Sequence, residues 1–152
     1  MKATTLLKKD HDTVRDLFKQ YEKAGDTAFQ KKKSLFEEVR VELEIHSRIE
    51  EEIFYPAVRR IREEEAKDTV REGLEEHAVV KTLLEQLSEM DPKDEQFDAK
   101  FKVMQENVEH HADEEEDEMF SEAKKNLSDE VLDELGARME VRKESLKAGK
   151  AA

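Results

Sequence analysis

The sequence predicts an all-α protein, an antiparallel up-down-up-down four-helix bundle with an additional C-terminal helix. Three observations predict it. Four Gly and two Pro in 152 residues leave little material for the turns of a many-stranded β fold. The stretches between breakers are long, rich in Leu, Glu, Lys, Arg and Ala, and free of β-branched alternation. Each long stretch places apolar residues at alternating spacings of three and four, the pattern of one inward helical face. Long helices joined by short loops fold back on their neighbours.

The first predicted helix, 3–24, closes at Gly25–Asp26, and its seam reads Leu7, His11, Val14, Phe18, Tyr21. The second, 27–65, ends in the charged stretch Glu63–Asp68; its seam reads Phe36, Val39, Leu43, His46, Glu50, Ile53, Ala57, Ile61. Pro56 lies inside it and predicts a kink, because it lacks the N–H and crowds the preceding turn. The third, 68–90, carries Val70, Gly73, His77, Val80, Leu84 and Leu87. Asp91–Pro92 reads as N-cap and first residue of the fourth, 93–125, with Phe97, Phe101, Met104, Val108, His111, Glu115 and Met119. Ser128 caps the fifth, 128–147, whose thinner stripe of Val131, Leu132, Leu135, Met139 and Leu146 fits a helix that covers the bundle or pairs with a second copy. The tail Lys147–Ala152 is expected to fray. Residues 1–126 thus form the bundle domain and 127–152 a C-terminal helix and tail.

Lys and Arg number 27 against 40 Asp and Glu, a net charge of −13 that would repel nucleic acid and anionic lipid. Cys is absent, which removes disulfides, thiolate nucleophiles and sulfur-ligated metal sites. The start, MKATTLLKKDHD, has no signal-peptide core, and no run approaches the roughly 20 apolar residues of a membrane span. The expectation is a soluble, cytoplasmic monomer or homodimer with no nucleic-acid or membrane partner.

Every seam contains a histidine, and two contain a glutamate one turn after it. A lone histidine on an apolar face is ordinarily a core residue bonded to a carbonyl. Four on four seams by chance is on the order of one in a hundred, given two to three seam positions in seven. All four lie mid-helix, so antiparallel packing can bring them to one level. Unpartnered, each buried polar group costs about 1–3 kcal/mol, and a buried carboxylate more. A metal ion resolves this by turning lone pairs into ligands. The donor set is nitrogen and oxygen without sulfur, which suits iron, manganese or zinc, and the two HxxxE pairs favour a two-metal site.

Asp10–His11, the run HSRIEEEIFYP from His46, Glu76–His77 and the run HADEEEDEMF from His111 follow the order H…HxxxE…H…HxxxE. This order resembles the hemerythrin-like, or HHE cation-binding, domain over roughly residues 5–125. The resemblance implies a non-haem di-iron centre bridged by carboxylates and an oxo or hydroxo group. It implies His11, His46, Glu50, His77, His111 and Glu115 as ligands, with manganese or zinc as substitutes. Oxygen-carrying relatives place a second histidine one turn after the third-helix ligand, where this chain has Lys81. The implied centre therefore has about two open positions rather than one. Lys81 either snorkels outward or holds a carboxylate beside the site. Tyr55 reads either as a catalytic or ligating phenol or as a rim tyrosine bonded to a carbonyl. His110 with Glu114 is a second HxxxE spacing, about one hundred degrees off the apolar face, and reads as solvated. The remaining acids of Glu50–Glu52 and Glu114–Glu118 read as an exposed charged face.

Such a centre takes small ligands: hydrogen peroxide, dioxygen or nitric oxide. Extra open positions favour chemistry over carriage, so the leading expectation is catalase-like decomposition of hydrogen peroxide. The alternatives are a module that binds or senses dioxygen or nitric oxide, or holds iron, without turnover, and a bundle whose ions are purely structural.

Overall fold

Seven α-helices and two π turns build the chain; the computed structural model describes residues 1–151, and Ala152 lies outside them. Helix α1 spans Ala3–Lys23 and α2 spans Phe29–Ile49. A π turn, Glu50–Phe54, continues α2 into the short α3, Tyr55–Arg59. Helix α4 spans Glu64–Ser88 and α5 spans Phe97–Glu114, which a second π turn, Glu115–Met119, joins to α6, Phe120–Asn126. The last helix, α7, spans Asp129–Ala151. No strand occurs among the described residues. The four long arms form the bundle, and α7 lies along α1 and α2.

Four boundaries depart from the sequence reading, among them the start of the third helix, at Glu64 rather than 68. The second predicted helix ends near Arg59, not 65, because the chain turns there through an Ile61 N–H to Val58 O bond of 3.0 Å. The fourth begins at Phe97, not 93. Asp91 Oδ1 accepts from Lys93 N–H at 2.9 Å and Asp94 Oδ1 from Gln96 N–H at 2.8 Å. These acids spend their side chains on local turns that compete with helix, so Asp91–Pro92 opens a turn rather than a helix. The fifth runs helical to Ala151, through residues expected to fray, and Ser128 Oγ caps it by accepting from Val131 N–H at 3.2 Å.

Pro56 sits in the first turn of α3, after the π turn, where a missing N–H is tolerated. The π turn is not the proline's doing alone, since Glu115–Met119 forms another with no proline near. In both, the residue after the turn bonds five back: Tyr55 N–H to Glu50 O and Phe120 N–H to Glu115 O. The extra residue advances the buried face by one. Phe54 and Val58 are fully buried beside Ile53 and Ala57, and Phe120 and Ala123 are buried behind Met119.

The apolar core falls into two halves. One gathers Leu6, Leu7, Ile49, Phe54, Val58, Val70, Met119 and Phe120 with Leu132, Leu135 and Met139 of α7. The other gathers Val14, Phe18, Phe36, Val39, Leu84, Leu87, Phe97, Phe101 and Met104. At its outer edge the buried Lys32 Nζ donates to Asp98 Oδ2 at 3.1 Å and Tyr21 Oη to Asp98 Oδ1 at 2.5 Å. Gly136 of α7 lets the N-terminal residues pass close, since a Cβ there would stand 1.9 Å from Met1 O. Between the two half-cores lies a polar layer.

Candidate metal centre

The layer is made by the six residues that the spacing singles out. His11 from α1, His46 from α2 and His111 from α5 are buried, as are Glu50 and Glu115 at the starts of the π turns; His77 of α4 is nearly so. All four imidazoles present Nε2 to the middle. His46 Nε2 lies 3.1 Å and His77 Nε2 3.0 Å from Glu50 Oε1. His11 Nε2 lies 3.1 Å from Glu115 Oε1, and His111 Nε2 lies 3.2 Å from Glu115 Oε2. Each glutamate thus stands between two histidines from different helices.

Two groups of potential ligand atoms result: His11, His46, Glu50 and Glu115, and Glu50, His77 and His111. Glu50 belongs to both. Among the described residues His11 Nε2, His46 Nε2, His111 Nε2, Glu50 Oε2 and Glu115 Oε1 are buried without a hydrogen-bond partner. Orphaned atoms of this kind are rare in folded proteins, because each costs about 1–3 kcal/mol. Five gathered in one layer, all nitrogen or oxygen atoms of metal-ligating groups, fit bound cations. These His and Glu groups are able to hold a metal.

Four carboxylates that the sequence reading left outside the site hold the imidazoles from behind. His11 Nδ1 meets Glu116 Oε2 at 2.7 Å, and His46 Nδ1 meets Asp10 Oδ2 at 3.0 Å. His77 Nδ1 meets Glu51 Oε2 at 2.8 Å, and His111 Nδ1 meets Glu76 Oε1 at 2.7 Å. A carboxylate only accepts, so each Nδ1 carries a hydrogen, and Nε2 is the atom each ring turns inward and the one a metal would take. Glu51 and Glu116 are therefore not merely a solvated face, contrary to the reading of the acidic runs. The four acids close a ring. Each neighbours one member of the central set in sequence and reaches the imidazole of the next helix. Both halves of the chain read acid–His, then HxxxE–acid: Asp10–His11 with His46…Glu50–Glu51, and Glu76–His77 with His111…Glu115–Glu116. That doubled pattern was visible in the sequence.

Cations brace one half of the ring. Arg15 Nη1 donates to Glu116 Oε2 at 2.8 Å, and Lys143 Nζ of α7 donates to Asp10 Oδ1. Glu51 and Glu76 have no Lys or Arg partner among the described residues. Electrostatics within the layer is strong. Burial alone would lower the His46 pKa, but Glu50 and Asp10 push it up to about 10. Burial opposes ionisation of Glu50 as well, yet the surrounding imidazoles hold its carboxyl well below the usual range.

Tyr55 lies inside this layer. Its hydroxyl donates to Glu115 Oε2 at 2.9 Å, with Glu50 Oε1 at 3.4 Å and His77 Nε2 at 3.2 Å, and the ring stacks on His77. It is not a rim tyrosine bonded to a carbonyl. Burial, then the charges of Glu115 and Glu50, push its pKa far up, so the phenol stays neutral. Gly73 makes its place, since a Cβ there would stand 2.6 Å from the hydroxyl. Lys81 is exposed and makes no ion pair among the described residues, as expected of a side chain that snorkels outward. His110 is exposed and pairs with Glu114 at 3.0 Å.

No helix among the described residues is long and apolar enough to cross a membrane. Residues 2–123 match the hemerythrin HHE cation binding domain. A protein of Nostoc sp. named DNA nickase is 26% identical over 96% of this chain, which spans 40% of that relative's length. The uncharacterized protein Rv2633c of Mycobacterium tuberculosis is 29% identical over 97% of this chain and 88% of its own. The crystal structure of its hemerythrin HHE cation binding domain-containing homologue from Mycobacterium kansasii superposes with a TM-score of 0.85 at 27% identity, covering 98% of this chain and 89% of the other. With that domain matched over residues 2–123, the chain belongs to the hemerythrin HHE cation-binding family.

Proposed function

We propose that the chain holds two iron ions in the polar layer and decomposes hydrogen peroxide in a catalase-like cycle. The observation that carries the reading is the convergence of five orphaned, buried nitrogen and oxygen atoms between four imidazoles fixed by carboxylates. His11 and His46 would hold one ion and His77 and His111 the other, with Glu50 and Glu115 shared. When bound, the iron pair supplies storage for the two electrons that pass from one peroxide to the next. The net change is two hydrogen peroxide to two water and one dioxygen.

The protein's own groups do the rest. The carboxylates behind each imidazole keep Nε2 free for the metal and fix the ring planes. The Tyr55 hydroxyl, bonded to Glu115 Oε2 at 2.9 Å, keeps a proton beside the shared carboxylates and within reach of a peroxide oxygen. Lys81 stands at the position where a carrier would add a fifth imidazole and is exposed, so this chain would hold the metals with four imidazoles. This chain spans 40% of the Nostoc relative, and its charge of −13 repels phosphate backbones.

The test is dioxygen evolution from hydrogen peroxide by iron-loaded protein. Activity is expected in the wild type and absent from the His46→Ala, His111→Ala double variant. Equal evolution by both would assign it to loose iron. A reversible spectral change with dioxygen or nitric oxide, without turnover, would select the binding-module reading instead.

A further inference from the structure

We propose that the cavity opening onto the polar layer binds the alkyl tail of a neutral organic hydroperoxide, which this chain reduces to the alcohol with hydrogen peroxide as electron donor. The inference rests on the peroxide reading above and names a second substrate class for the same centre.

A cavity of about 690 Å³ runs from the four imidazoles outward between α2 and α4. Hydrogen peroxide needs the room of about two waters, roughly 60 Å³. The space is thus about ten times what that substrate requires and matches the volume of sites that take organic molecules. Between charged residues its lining carries a set of branched aliphatic side chains: Leu43 of α2, Val80 and Leu84 of α4, Val108 of α5 and Leu146 of α7. A channel built only for peroxide or water has no use for a wide aliphatic wall, whereas a hydrocarbon tail is held by one.

The charges at the mouth favour a neutral ligand. Arg40 is engaged by Glu37 and Glu44, Lys150 also pairs with Glu44 and Arg48 with Glu52. Lys81, which has no ion pair among the described residues, shares the lining with the acids Glu51, Glu85 and Glu109. The surface as a whole carries −13, which disfavours an anionic head group. The reactive end must then be the polar end, and an –OOH group on an aliphatic chain places its O–O bond beside the imidazoles that line the cavity while the tail lies along the aliphatic wall.

The step balances as ROOH + H2O2 → ROH + H2O + O2. The O–O bond of the alkyl hydroperoxide breaks; one oxygen remains as the alcohol and the other leaves as water. The two electrons and two protons this consumes come from hydrogen peroxide, which is oxidised to dioxygen.

Straight-chain alcohols report the tail site without redox chemistry. Calorimetric titration of the metal-loaded full chain with 1-butanol, 1-hexanol and 1-octanol is expected to show affinity rising about fourfold per methylene, as for CH₂ groups leaving water. Leu84→Trp, and independently Leu43→Trp, should fill the cavity and abolish that rise, with melting curves showing that each variant is folded. Iron-loaded protein given octyl hydroperoxide and hydrogen peroxide should yield 1-octanol and dioxygen in equal amounts. Alcohol affinity that stays flat with chain length, while dioxygen still evolves from hydrogen peroxide alone, overturns the tail site and leaves the peroxide reading standing. Affinity that rises without turnover of either peroxide overturns the hydroperoxide assignment together with that reading.

Discussion

Gly73 decides where the Tyr55 phenol can sit. Any side chain there meets the hydroxyl at 2.6 Å and Cζ at 3.0 Å, and both are fully enclosed. Gly73→Ala is expected to lower stability by about 1–3 kcal/mol, the usual cost of overpacking. It should also lower peroxide turnover towards that of Tyr55→Phe while metal content holds, because no imidazole or glutamate is touched. Urea midpoints, metal counting and dioxygen evolution check the three parts. Far from the centre, Asp98 supplies a pH-dependent term. Burial would raise its pKa, but the hydrogen bonds from Tyr21 and Lys32 bring it below the ordinary 3.8. A depressed folded value means the stabilisation is whole above 3.8 and fades as pH falls through the lower folded value. The urea midpoint of wild type should therefore exceed that of Asp98→Asn at pH 6, and the gap should close on acidification. The six central residues were legible because four histidines on four seams resist coincidence. Asp10, Glu51, Glu76 and Glu116 were not, because 40 acids in the chain hide four with a purpose. Gly73 stood on its seam, but its reason is a ring from another helix, which spacing does not carry.

Helices, too, were legible unevenly. The stripes located every long arm, yet spacing assumes one constant pitch, and each arm bearing HxxxE departs from it at the glutamate. The π turns at Glu50 and Glu115 insert a residue directly after the carboxylate that enters the layer. This lets one arm serve a polar layer and then a differently phased apolar half-core, a common placement for such turns. Pro56 gave a hint of the first; nothing local marks the second. The thin stripe of α7 likewise concealed what the helix contributes, since its closest link to the centre is a cation. Lys143 binds Asp10, which binds His46. Lys143→Gln is expected to weaken metal binding about 10- to 100-fold at the His11–His46 position. The His77–His111 position, whose carboxylates have no such cation, should change little. A two-step metal titration would resolve the two, and Lys143→Arg should restore the weakened step. Equal weakening of both steps would mean that α7 acts only through bundle stability.

The whole molecule sets two dry half-cores on either side of a layer rich in lone pairs. Without an ion that layer opposes folding, because buried polar atoms keep no water and find no partner. Metal should therefore act as a folding ligand, stabilising by RT ln(1 + [L]/Kd), about 2.7 kcal/mol at a hundredfold excess over Kd. In a domain of this size that amounts to roughly 5–10 °C in melting temperature. Chelation of loaded protein should lower the melting point by about that much, and iron, manganese or zinc should restore it. The His46→Ala, His111→Ala variant separates this account from one in which the histidines merely pack the core. If they pack, the variant melts lower whether or not metal is present, through lost contacts alone. If they are ligands, the variant loses the metal-dependent increment, while its metal-free melting point falls far less, because removing two imidazoles also removes two of the orphaned nitrogens. A melting point insensitive to both chelator and metal would leave the layer without the ion that its geometry calls for.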